Sequence, residues 1–312
     1  MNNNVLISIC IPAYKRTDFL KRLFDSISIQ TFKDFEVILT DDSQTDDVAI
    51  FCKQYEGSFK LSYHKNLVSL GTPENWNESI RKATGKWIKI MHDDDWFSDK
   101  ESLGIFAEIA LKSSGNFIFS SYKNVFLDEE QEVEISPTKF RLRQLKRNPV
   151  SLLSKNIIGP PSVTLCRNNH NVFYDKDFKW LVDIDFYCHI LAKEEIFHID
   201  KHLVNVGMSR EQVTAYCHTN PMVEIPENYY FLKKIGVANL ENILVYDSWW
   251  RLLRNFNIKN ELQLRNYVNA EWPLIVLKIL KDINKTPKWV LKIGVFSKMF
   301  MAFSYLKNKQ KI

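Results

Sequence analysis

Three β-prone apolar runs in the first hundred positions stop abruptly in polar or charged residues, and helix-patterned segments separate them. ISICIPA leads into Tyr14-Lys15-Arg16, FEVILT into Asp41-Asp42-Ser43, and KWIKIM into His92-Asp93-Asp94-Asp95. Two parallel strands need a crossover long enough to hold a helix, so alternation of this kind predicts a parallel sheet. Near-continuous apolar runs mark strands buried on both faces. The expected fold class is therefore α/β, a mostly parallel sheet flanked by helices. Ligands of open sheets bind beyond the carboxyl ends of the strands, which is where the three polar clusters fall.

The pattern continues in detail. Thr17 or Asp18 caps a helix whose apolar positions Phe19, Leu20, Leu23, Phe24 and Ile27 keep the 3.6-residue period. A short helix over 46 to 56, a strand FKLSYHKN, helices ENWNESIRKAT and SLGIFAEIALKS, and a strand NFIFSSYKNVF follow. Residues 128 to 150 carry acids and then bases, which reads as a solvated excursion or lid. Beyond it come a strand-like SVTLCR, a helix around WLVDIDFYCHILAK, and helical periodicity from about residue 220 onward. Two regions are expected: an α/β domain over 1–218 and a helical C-terminal region over 219–312.

Composition excludes several classes. The chain has 312 residues, with Lys+Arg 42 against Asp+Glu 37, a net charge of +5. That small excess is far from the basic stripe of a dedicated nucleic-acid binder, and no nucleic-acid partner is expected. Five widely spaced cysteines without a CxxC pair suggest neither a zinc ribbon nor a disulfide framework, and point to a reducing cytoplasm. The opening residues lack the layout of a secretory signal, and no apolar run reaches the roughly 18 to 20 residues of a membrane span. The final stretch, WVLKIGVFSKMFMAFSYLKNKQKI, mixes lysines with apolar residues and contains no acid. It suits either packing on the rest of the chain or peripheral contact with an anionic membrane surface.

The clusters at the strand ends suit a nucleotide site. Tyr14 can stack on a base, Asp42 can accept from a base or ribose, and carboxylates of the 93–95 run can hold Mg²⁺ or Mn²⁺ against a diphosphate. Asp-Asp-Ser is also ordinary turn chemistry. Three adjacent acids, by contrast, repel one another at a cost that a plain loop need not bear.

Together ISICIPAYKR, QTFKDFEVILTDDSQTDD and GKWIKIMHDDDW resemble the N-terminal half of glycosyltransferase family 2, inverting, sugar-nucleotide-dependent enzymes with the GT-A fold. The resemblance runs on through IGPPSVTLCR and WLVDIDFY and fades after about residue 216. It places Pro12, Tyr14 and Arg16 beside the nucleotide and Asp42 on the base. The family's Asp-x-Asp motif falls on His92-Asp93-Asp94, with His92 in place of the first acid. The implied metal ligand is Asp94, with Asp95 as second choice and Asp93 turned toward ribose or metal. The implied catalytic base is Asp183, preceded by Val182 where the family usually has Glu.

Asp185 lies two residues further along the same helix, so it points to another side and needs a separate role. The family's His-x-x-Gln-x-Thr loop corresponds to Ser209–Thr214, where Ser209 replaces the histidine and Arg210 is the candidate phosphate contact. His92, Asp185 and Arg210 thus stand as further candidates for the diphosphate or acceptor.

The activity implied is transfer of a sugar from a nucleotide diphosphate donor, UDP first, to a saccharide or lipid-linked saccharide, with Mn²⁺ or Mg²⁺. The resemblance suggests single additions in bacterial surface polysaccharide assembly, such as O-antigen or capsule. Two alternatives remain open. His92, Val182 and Ser209 depart from the family pattern, as in a binding module without turnover. A nucleotidyltransferase shares the nucleotide-binding layout.

Overall fold

The computed structural model of the chain describes residues 5–55, 57–129, 131–169, 172–192, 195–209 and 217–309. The alternation expected from the sequence is present. Strand β1 (Ile7–Ala13), helix α1 (Thr17–Ser28), β2 (Phe35–Asp41), α2 (Asp47–Lys53), β3 (Leu61–Lys65), α3 (Glu74–Lys82) and β4 (Trp87–Ile90) follow in turn. After them come β5 (Trp96–Phe97), α4 (Ser102–Lys112), β6 (Phe117–Phe126), β7 (Gln131–Ile135), α5 (Lys139–Arg147), β8 (Thr164–Arg167), α6 (Val182–Leu191) and β9 (Ile196–Met208). Helices α7 (Pro221–Ile235), α8 (Ile243–Asn255), α9 (Glu261–Tyr267), α10 (Leu274–Lys285), α11 (Lys288–Lys292) and α12 (Gly294–Asn308) make up the last third.

The strands form one nine-stranded sheet in the order β3-β2-β1-β4-β8-β6-β9-β5, with β7 paired to β6. β1, β2, β3 and β4 run parallel, and β8 joins antiparallel to both β4 and β6. Register sets the site. Ala13 lies opposite Asp41, and Met91 donates its N–H to the Cys10 carbonyl at 2.9 Å, so β1, β2 and β4 end along one edge. Every residue of β2 is buried, as its unbroken apolar run requires. Helix α1 buries Leu20, Leu23, Phe24 and Ile27, four of the five periodic positions read from the sequence, and Phe19 is partly buried.

Two segments depart from the sequence reading. Residues 128 to 150 hold β7, which pairs back onto β6, and then α5, rather than an open excursion. The exposed β7 carries Glu132 and Glu134 on an edge, where charge protects a free strand, and α5 anchors itself through a single buried residue, Leu145. Strand β9 was not expected. Its charged middle, Asp200-Lys201-His202, masks the alternation, because the register with β6 shifts at Ser120 and Ser121. The helical reading beyond residue 220 holds. No described helix is long and apolar enough to cross a membrane.

Candidate active site

A cleft of about 1230 Å³ opens beyond the ends of β1, β2 and β4. Pro12, Tyr14, Arg16, Asp42, His92, Asp93, Asp94, Asp95 and Asp183 all line it, so residues spread over 171 positions of sequence meet in one cavity. Helices α7 and α8 supply the far wall through Asn228, Ser248, Arg251 and Asn255.

The near wall is fixed by the chain leaving β1. Lys15 adopts a left-handed φ of 66° and donates its N–H to Ser43 Oγ at 2.8 Å, which ties the two loops together. Tyr14, half exposed, stands at the rim. Arg16 then turns inward, bonding Asp93 through two nitrogens, with Nε at 3.1 Å, and lies 3.5 Å from Asp94. Burial raises the Asp93 carboxyl to about 7, against the opposing pull of Arg16.

Asp42 is buried in the same wall. Its carboxylate accepts N–H bonds from Leu70 at 3.0 Å and Gly71 at 2.7 Å, and a side-chain bond from Asn66 at 2.7 Å. The side chain expected to meet the base therefore also holds the 66–71 segment in place beside it.

At the end of β4, His92, Asp94 and Asp95 each present one ligand-capable atom, and those atoms lie within 4.8 Å of one another. His92 Nε2 and Asp95 Oδ2 are buried without a hydrogen-bond partner, which is costly unless something else satisfies them. Burial holds the imidazole neutral, with its pKa lowered to about 4, the form that donates a lone pair. Burial and the adjacent Asp94 raise Asp95. The residues present thus fit a divalent cation. His92, which the family resemblance makes a replacement for the usual acid, sits in the cluster as a third donor beside Asp94 and Asp95.

Gly207 of β9 underlies this cluster. A Cβ there would collide with the Asp94 carbonyl oxygen, and the Gly207 N–H donates to Asp95 Oδ1 at 3.1 Å. Only glycine allows that approach.

Asp183 is the second residue of α6, and its Oδ1 is buried without a hydrogen-bond partner. Burial alone raises its carboxyl to about 7. The approach to α6 is fixed by Glu227 of α7, whose carboxylate accepts the N–H groups of Lys179, Trp180 and Leu181 at 2.9, 2.9 and 2.8 Å. Nothing local marks Glu227, since an acid between Pro226 and Asn228 in a helical stretch reads as solvated surface.

Two expected contacts fare differently. Asp185 turns away from the cleft and pairs with Lys234 of α7 at 2.8 Å, which also binds Asp175 at 2.8 Å. The i, i+2 spacing sends it to the packed face of α6, so it is a tether between α6 and α7 rather than a residue of the cleft. Arg210 lies outside the described residues.

A mixed, mostly parallel sheet with a carboxylate-lined cleft at its switch point, backed by helices, defines the GT-A class. The crystal structure of S. aureus TarS 1-349 in complex with UDP-GlcNAc has this fold, with a TM-score of 0.66 at 14% identity over 98% of this chain and 90% of that one. Residues 8–162 match Glycosyl transferase family 2, and the chain belongs to that family. An uncharacterized glycosyltransferase of Rickettsia conorii is 26% identical over 266 residues, 82% of this chain and 40% of that protein. The GalNAc(5)-diNAcBac-PP-undecaprenol beta-1,3-glucosyltransferase of Campylobacter jejuni is 23% identical over 245 residues, covering 73% and 76%. The chain spans 40% and 42% of the length of the first two curated relatives it matches.

Proposed function

We propose that this chain transfers a sugar from a nucleotide diphosphate donor, UDP-linked by preference, to a hydroxyl of a saccharide or lipid-linked saccharide, with inversion. The observation that carries this reading is the pairing, in one cleft, of an unpartnered buried carboxylate at Asp183 with the His92-Asp94-Asp95 cluster. Asp183 removes the proton from the acceptor hydroxyl as that oxygen attacks the anomeric carbon. The bond from that carbon to the diphosphate oxygen breaks on the opposite face, so configuration inverts. A carboxyl near 7 is matched to this work, since it accepts a proton readily without being fully protonated at neutral pH.

His92, Asp94 and Asp95 would hold the divalent cation, and an imidazole with two carboxylates suits Mn²⁺ at least as well as Mg²⁺. When bound, such an ion neutralises charge on the departing diphosphate. Pro12 and Tyr14 flank the nucleotide, Asp42 and the 66–71 segment frame its base, and Asp93 with Arg16 borders the ribose and phosphates. Residues 1–218 form the catalytic domain, and 219–312 form a helical region that closes the acceptor side. UDP is favoured by the UDP-GlcNAc complex of the structural neighbour TarS, and a lipid-linked saccharide by the name of the Campylobacter relative. All five cysteines are free and buried, in keeping with a cytoplasmic site of action for a polysaccharide-assembly enzyme.

Incubation with UDP-sugars and Mn²⁺, with and without saccharide acceptors, tests this directly. UDP release that requires both metal and Asp183 supports it. UDP binding without turnover across a donor panel would indicate a binding module, and pyrophosphate release from a nucleoside triphosphate would indicate a nucleotidyltransferase.

A further inference from the structure

Helix α12 is built inside out. Its buried face carries Ser297, Met301, Ser304, Tyr305 and Asn308, mostly polar groups, and its solvent face carries Val295, Phe296, Met299, Phe303 and Leu306. Ser297 is 0% exposed, whereas Val295, Phe303 and Leu306 are 77%, 60% and 67% exposed. The inner polar groups are satisfied: Ser297 Oγ accepts from Trp250 Nε1 at 3.1 Å and Arg254 Nη1 at 2.8 Å. Ser304 and Asn308 donate to Asp282 at 2.8 and 2.9 Å. The orientation is therefore fixed by hydrogen bonds and leaves the apolar stripe outward, which a soluble surface has no reason to display.

At about 100° per residue, the apolar stripe occupies one face of α12, with Lys298 and Lys309 on one flank and Lys307, which also reaches Asp282, on the other. Exposed Trp289 of α11 packs edge-on against Phe296 and extends the stripe, beside exposed Lys288 and Lys292. No acid follows Asp282 in the sequence, and Asp282 is engaged internally.

We infer that the α11–α12 face docks on an anionic lipid bilayer, with its apolar stripe at the acyl boundary and its lysines among the headgroups. Charge selects this occupant. A second copy would set the same lysines against one another across a two-fold contact, whereas anionic headgroups complement them. An aromatic and aliphatic stripe with flanking lysines is the pattern that lies in a bilayer interface. The inference stands apart from the reaction proposed above.

Co-sedimentation of the full chain with phosphatidylcholine vesicles, with and without phosphatidylglycerol, tests it, and UDP binding in the same samples reports separately on the cleft. The chain should partition onto the anionic vesicles and far less onto neutral ones, with salt weakening the binding. Phe303→Ser combined with Leu306→Ser should lower partitioning at least about tenfold, and Lys298→Gln about fivefold. These side chains face solvent, so melting temperatures should not change. Should the double variant unfold, Met299→Gln on the same stripe replaces it. Failure to bind anionic vesicles overturns the inference, as does equal binding to both vesicle types that ignores the stripe. A dimer in sedimentation that the double variant dissociates would reassign the face to self-contact and equally overturn it.

Discussion

The cleft and the outer face of α12 break the usual rule of burial in opposite directions. In the cleft, ionisable atoms of His92, Asp95 and Asp183 are buried without partners. On α12, large apolar side chains are exposed while serines and an asparagine are buried and bonded. Both arrangements cost stability in the isolated chain, and each would be relieved by a ligand of complementary chemistry, polar for one and apolar for the other. Departures from the rule are thus better pointers to function here than adherence to it.

The largest test of this contrast is Asp183→Asn. Turnover should fall about 10³-fold, in the range lost with a general base, while UDP affinity changes little. Stability should move the other way. The folded-state pKa of Asp183 is raised from 3.8 to about 7, so the native state is penalised progressively as pH rises between those values, fully above 7 and not at all below 4. The Asn variant should therefore melt a few degrees higher at pH 8 and unchanged at pH 4, as differential scanning fluorimetry would show. Wild-type turnover should rise with pH through about 7, as the base deprotonates.

Asp95→Ala comes next. It should weaken Mn²⁺ binding about 100-fold by calorimetry, and a variant that still binds the ion at wild-type strength would remove the metal from the site. Glu227→Gln should lower kcat about tenfold with KM nearly unchanged, and cost about 1–3 kcal/mol of stability, because three N–H groups lose a charged acceptor. The smallest effect is expected of Asp185→Asn. Its partner Lys234 is partly exposed and keeps Asp175, and burial raises the Asp185 carboxyl despite Lys234, so stability at neutral pH should change by less than about 1 kcal/mol, with kcat within twofold of wild type.

The sheet was legible because its strands are buried on both faces and read as unbroken apolar runs. The polar residues at their ends were legible for the same reason, since charge stands out against such a run. Pro12, Tyr14, Arg16, Asp42, Asp93, Asp94, Asp95 and Asp183 were all named from the sequence, and all line one cleft. The rest depended on long-range contact. The link from Glu227 to residues 179–181 joins segments almost fifty positions apart, and nothing local signals it. Asp185 carried a correct hint in its spacing, but its partner on α7 was invisible to a local reading. Strand β9 was hidden by a bulge that interrupts its period, and β7 by its own charges. Polarity along α12 is clear in the sequence, but which side faces inward is decided by Trp250, Arg254 and Asp282, all on other helices.

Placement of Arg251 and Asn255 of α8 across the cleft from the strand ends has an engineering consequence. In the proposed reaction the leaving-group end is written in the first hundred residues, while helices from the last third also line the cleft. A graft of α7 and α8 from a cousin could re-address the same chemistry to a different hydroxyl, provided the donor segment brings a carboxylate at position 227 to hold the entry to α6.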